Sequence, residues 1–281
     1  MKHFIWMLCG IFVSGLLLGT LSACGAAPAP GETEVPAEAS AKDTDRRLAY
    51  GKALWDMYLR GVLPDGTELE RATDLGPAEG NQFAVEDVNG DGEKELIVYW
   101  TNACTAGMQG LVYGFDGGAL RLELSAFPDL TFYGSGTARA GWSHNQGWAG
   151  RFWPFSLYQY SPEGGVYEQI CDVDAWDLSV TAEDETLAAA FPREADTDGD
   201  GLVYYILTGD WYQASRVPLD GNLSGQLWGT DPVDGAALEE WLNTRTEGEE
   251  PLALSVQELN EENIAALGYP RPEVSYPEPA G

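Results

Sequence analysis

The sequence predicts a mainly β protein with a few short helices, built from antiparallel hairpins in a sandwich or a partial, propeller-like β domain. Three observations carry this expectation. Gly and Pro number 34 and 16 of 281 residues, and aromatic residues make up 11%, a mix that suits many short strands joined by turns. Runs of alternating apolar residues recur through the chain, which is the period of a half-buried strand. Each pair of runs is separated by a Gly-rich acidic or polar stretch that reads as a turn.

Residues 1–23 read as a signal peptide, with Lys2 at a positive start and a largely apolar run from Phe4 to Leu21. A stretch of that length also suits an uncleaved anchor, although Gly10, Gly15 and Gly19 dilute it. Leu21-Ser22-Ala23-Cys24 resembles a bacterial lipobox, and the resemblance implies cleavage before Cys24 and diacylglycerol on its sulfur. Residues 24–44 are rich in Ala, Pro and Glu without apolar periodicity and are expected to form a disordered tether, spanning about 25 Å. Loss of residues 1–23 removes Lys2 and leaves 45 acids against 14 bases. So negative a chain excludes nucleic acid and electrostatic docking on anionic lipid, so the lipid must supply the membrane attachment.

Residues 45–270 are the expected globular domain. A helix leads it, with Leu48, Leu54, Trp55, Tyr58 and Leu59 mainly on one face, ended by Gly61 and Pro64. The stretch Gln82–Trp100 then reads strand, acidic loop, strand: Phe83 and Val85 alternate before it, and Leu96, Val98 and Trp100 after it. The loop places side-chain oxygens at Asp87, Asn89, Asp91 and Glu95, positions 1, 3, 5 and 9, with Gly92 at position 6. Calcium takes six to eight oxygen ligands, and alternate residues of a curled loop converge on one centre, joined by the carbonyl of Glu93 at position 7. An EF-hand is excluded, because position 12 is Val98 and the flanks are strands. A tight Asn-Gly hairpin with solvated acids is the metal-free alternative. The pattern resembles the FG-GAP and VCBS calcium loops, D-x-[DN]-x-D-G-x-x-[DE], as they occur in uncharacterised lipoproteins of Gram-positive bacteria. That resemblance implies a calcium site but carries no assigned reaction.

Two further hairpins follow, LVYGF with ALRLEL (111–115 and 119–124) around FDGG, and FWPFSLYQY with VYEQI (152–160 and 166–170) around PEGG. Thr181 and Asp184 suggest a weak capping box for a helix over 182–190. Asp196, Asp198 and Asp200, with Gly201, repeat positions 1, 3, 5 and 6 of the calcium pattern, but Tyr204 stands at position 9. A plain hairpin turn therefore competes with a weaker second metal loop. Helices are expected around Gly235–Asn243 and Glu261–Leu267, the second capped by Asn260 and ended by Gly268. Residues 271–281 form a proline-rich tail, expected to fray.

Few residues suit catalysis. Without the signal peptide the chain keeps one histidine, His144, and has no G-x-S-x-G elbow, while GSGT at 134–137 lacks the lysine of a phosphate loop. Cys104 and Cys171 remain as a possible disulfide or as two free thiols, and their spacing excludes a C-x-x-C motif. Trp142, Trp148 and Trp153, with Asn145, Gln146 and Arg151, form either packing residues or an aromatic shelf for a glycan or peptide. Alternation along 152–160 puts Trp153 with Phe155 and Leu157 on a buried face and leaves Trp142 or Trp148 as the exposed shelf. The expected function is a calcium-stabilised, lipid-anchored, extracytoplasmic module binding a glycan, peptide or partner protein. A carboxylate-dependent, glycosidase-like hydrolase at the cell surface is the alternative.

Overall fold

The computed structural model describes residues 37–72, 76–145, 147–208 and 230–273, with the side chains of 37–40 left aside. The expected lipobox and most of the tether lie outside the described residues. Among the described residues no helix is long and apolar enough to cross a membrane. The protein is mainly β, two antiparallel five-stranded sheets with a few short helices and no closed barrel.

The first sheet runs β10-β1-β2-β3-β4, with β1 Gln82–Glu86, β2 Glu95–Trp100, β3 Gln109–Asp116, β4 Ala119–Ala126 and β10 Gln257–Glu258. It is covered on both faces. Phe83, Leu96, Val98, Trp100 and Leu111 pack against the leading helix α1 through Tyr50, Leu54, Trp55 and Leu59. Ala84, Ile97, Val112 and Leu124 face the second sheet and meet Phe132, Ala138, Tyr160 and Tyr167. Burial on both faces explains why β2 reads as an apolar run rather than a clean alternation.

Helix α1 spans Ala37–Arg60, so it begins inside the stretch expected as a disordered tether. Ala, Glu and Lys in that stretch are strong helix formers, and Lys42 and Arg46 tie the first half of the helix to Glu93. The helix ends at Gly61, whose φ of 65° is left-handed and whose N–H returns to Met57 O at 2.8 Å.

The second sheet runs β5-β6-β7-β8-β9, with β5 Leu130–Phe132, β6 Thr137–Gly141, β7 Phe155–Ser161, β8 Val166–Asp177 and β9 Leu202–Leu207. Short helices α2 (Leu178–Thr181) and α3 (Glu185–Ala190) link β8 to the second acidic loop, α4 spans Gly235–Arg245 and α5 spans Glu261–Ala265. Asp184, not Thr181, caps α3: its Oδ1 accepts from Thr186 N and Leu187 N. A carboxylate one residue before the helix reaches both free N–H groups, and Thr181 is already the last residue of α2. Leu238 and Trp241 of α4 cover one face of β7–β9, and Leu187 with Phe191 covers the other.

The expected fray at 271–281 does not extend to its first residue: Arg271 pairs with Glu261 at 2.7 Å and lies over the Trp55 ring. Residues 274–281 lie outside the described residues.

Candidate metal centre

Two acidic loops carry one hydrogen-bond frame. In the first, between β1 and β2, Asn89 Oδ1 accepts from Asp91 N at 2.9 Å, Asp87 Oδ2 from Gly92 N at 2.9 Å and Asp91 Oδ1 from Glu93 N at 2.8 Å. In the second, entering β9, Asp198 Oδ1 accepts from Asp200 N at 3.0 Å, Asp196 Oδ2 from Gly201 N at 3.1 Å and Asp200 Oδ1 from Leu202 N at 2.7 Å. Position for position, these are the same bonds. Glycines at positions 4 and 6, Gly90 and Gly92 in one loop and Gly199 and Gly201 in the other, all have φ between 74° and 86°. Only glycine takes that backbone without strain, and the curl it permits turns the carboxylates inward.

The loops differ at the ninth position and agree again in space. Glu95, 2% exposed, accepts from Val88 N at 2.9 Å, the N–H of the loop's second residue. Tyr204 cannot do this, and Thr197 N instead donates to Asp234 Oδ2 at 2.7 Å. Asp234 also accepts from the Thr197 hydroxyl and Asp198 N, while its other oxygen caps α4 through Gly235 N. These bonds, with the Thr197 hydroxyl foremost, hold its carboxyl below the usual range. A carboxylate from elsewhere in the chain thus completes the second loop. The sequence reading did not include Asp234, although an Asp before a helical run carries the signal of an N-cap.

Asp196, Asp198 and Asp200 present carboxylate oxygens within 4.8 Å of one another, and Asp196 Oδ1 is buried with no hydrogen-bond partner. Buried polar atoms are ordinarily satisfied, so an unpaired carboxylate oxygen beside two more carboxylates fits a cation. Among the described residues a positive group stands next to them: Arg151 donates to Asp200 O at 2.9 Å and pairs with buried Asp177. Its guanidinium and Ser179 hold Asp177 well below the usual carboxyl range against the upward push of burial.

Among the described residues the acids of the first loop are not gathered as closely as Asp196, Asp198 and Asp200. Burial pushes the Glu95 carboxyl up to about 8, and Glu123, Asp91 and Asp87 add to the effect. Glu123 on β4, also absent from the sequence reading, is 4% exposed and binds Asn89 Nδ2 at 3.3 Å and Arg121 at 2.9 Å. Glu93 turns its carboxylate to Lys42 and Arg46 on α1, which leaves its main-chain oxygen as the group available to an ion.

The tryptophans are rearranged relative to expectation. Trp153 is the exposed one, at 47%, because the strand begins at Phe155 and the alternation does not reach back past Pro154. Its indole N–H donates to Trp142 O at 2.7 Å, and that of Trp142 donates to Ser156. Trp148 is half-buried and lies tilted against Trp176 with centroids 4.9 Å apart, as a core residue would. Gln146 lies outside the described residues. His144 is exposed beside Ser143. The two thiols are unbridged: Cys104 is exposed near Glu70, and Cys171 is buried in the second sheet.

No protein-family model, curated protein or solved structure matches the chain.

Proposed function

We propose that the protein is a calcium-stabilised, extracytoplasmic binding module held at a membrane by lipid on Cys24. The observation that carries the calcium reading is the repetition of one loop frame at Asp87–Glu95 and at Asp196–Asp200 with Asp234. Two unrelated strand entries have the same curl, and each gathers carboxylates that repel one another without a cation. The oxygens offered are hard ligands, which suit calcium over softer metals. Cys24 would supply the anchor, and a net charge of −30 leaves little electrostatic attraction to anionic lipid. The surface best suited to a glycan, peptide or partner protein is the Trp153–Trp142 corner, where the Trp153 indole is open and the Trp142 indole is held by Ser156.

The hydrolase reading needs an open carboxylate pair. Asp172 and Asp174, about 7 Å apart along β8 by strand geometry, are 5% and 0% exposed, which favours the binding module.

Calcium titration of the metal-free protein by calorimetry tests the first element. Two binding events, one lost in Asp91→Ala and one in Asp198→Ala, support it; no heat and no thermal shift with calcium overturn it. Mass spectrometry of the membrane-associated protein tests the second, and an unmodified thiol at residue 24 overturns the anchor.

A further inference from the structure

The core of the second sheet holds a carboxyl group with no use in the loops. Asp174 on β8 is 0% exposed; its Oδ1 accepts only the N–H of Ala175, at 2.8 Å, and its Oδ2 has no partner. Asp172, two residues earlier and therefore on the same face, is 5% exposed and takes both its donors, Ser156 Oγ at 2.5 Å and Gln169 Nε2 at 2.7 Å, on one oxygen. Around them lie Trp176, Val203, Tyr205 and Leu207.

The groups that face Asp174 supply no positive charge. On its own strand the titratable neighbour is Asp172; directly across on β9 it is Tyr205, paired with Asp174 in the strand register. On β7 the uncharged Ser156 stands opposite Asp172. From the α3 segment packed on this face, Arg193 lies over Phe191 and donates to Ala188 O, and Asp184 caps α3. Arg151, from the loop before β7, is committed to Asp177 and Asp200. Among the described residues no Lys or Arg pairs with either Asp172 or Asp174.

β9 is where a charge in this place acts. Among the described residues it is the last strand of its sheet, bonded to β8 along its length and otherwise to Val233 through Tyr204. We infer that the Asp172–Asp174 pair makes β9 a pH-sensitive edge, docked while the pair carries at most one charge and loosened when both carboxyls ionise. Two adjacent carboxylates in an apolar surround without a counter-ion are unfavourable together, and opening β9 brings both to water. The inference is independent of calcium and of the aromatic corner.

The direction of the effect follows from burial. Burial, with Asp172 beside it, pushes the Asp174 carboxyl up to about 7 from 3.8, and burial raises Asp172 as well. The folded strand therefore keeps a proton that the opened strand releases. Docking is strongest below the opened-state value and weakens as pH rises toward the folded-state value.

Hydrogen exchange of the full chain, corrected for intrinsic chemistry, reads this directly. Between about pH 5 and about pH 8 the protection of Val203–Leu207 amides is expected to fall by about tenfold or more beyond any fall of the β1–β3 amides, whose sheet carries Glu95. Asp174→Asn is expected to flatten the β9 profile and to raise its protection at the higher pH. A β9 profile that is flat in the wild type overturns the inference. So does an equal fall in both sheets, which would report only the general repulsion of a chain at −30, or an Asp174→Asn profile like the wild type's. Should Asp174→Asn fail to fold, Asp172→Asn, which also removes one charge of the pair, is expected to give a shallower profile than the wild type, and an unchanged one overturns the inference.

Discussion

Asp234 stands to the second acidic loop as Glu95 stands to the first. Each carboxylate accepts the N–H of its loop's second residue, from Thr197 at 2.7 Å and from Val88 at 2.9 Å. One is nine positions into its own loop, and the other comes from the start of a helix beyond β9. The equivalence is one of space, not of sequence, and it makes the second loop depend on where α4 sits.

Asp234→Ala is therefore expected to lower the melting temperature and to change the second loop's calcium response, leaving the first loop's intact. It removes the cap of α4 and frees three donors at Thr197 and Asp198. Asp234→Asn keeps one acceptor and is expected to fall between the two. Thermal melts with and without calcium check both variants.

Calcium is expected to stabilise the wild type modestly. Extracellular modules often bind at about 10⁻⁴–10⁻³ M, so millimolar calcium adds roughly 0.4–1.4 kcal/mol for each loop. A chelator that leaves the melting curve unchanged would show that both loops are self-sufficient turns.

The metal-free protein is expected to lose stability as pH rises from about 4.5 toward about 8, because folding keeps Glu95 protonated over that window. Glu95→Gln is expected to lessen that decline and to stabilise the metal-free protein at pH 8 by at least about 1 kcal/mol, while weakening calcium binding at the first loop. Denaturant melts at several pH values measure it.

Tryptophan substitutions divide by burial. Trp100 and Trp176, at 0% and 3% exposed, are each expected to cost about 3–5 kcal/mol on replacement by Ala. Trp153→Ala is expected to change stability by less than about 0.5 kcal/mol. If the Trp153 corner is the binding surface, that variant alone loses retention on a glycan or peptide array that retains the wild type.

What could be read from sequence was what lies close in sequence. The FDGG hairpin, the stop at Gly61 and the Asn260 cap depend on neighbours within a few residues, and the oxygens of the first loop follow one another at fixed spacing. Glu123 and Asp234 reach their loops only after the chain has folded back, so no spacing announces them. The Trp153 face failed for a local reason: Pro154 precedes the strand, and alternation holds only within it. The start of α1 lay hidden in composition that serves a tether and a helix equally well.

Among the described residues every strand pairing save one joins elements adjacent along the chain. The exception is β10, whose Gln257 and Glu258 pair with Phe83 and Gln82 of β1. Hairpins with nearby partners form early, whereas a pairing across the length of the domain waits for loop closure. Until Gln257 has been synthesised, β1 presents an open row of backbone donors and acceptors to any other chain. The cover over the start of β1 is thus among the last parts to be made, and a ribosome that stalls before it releases a nearly complete domain with one more adhesive edge.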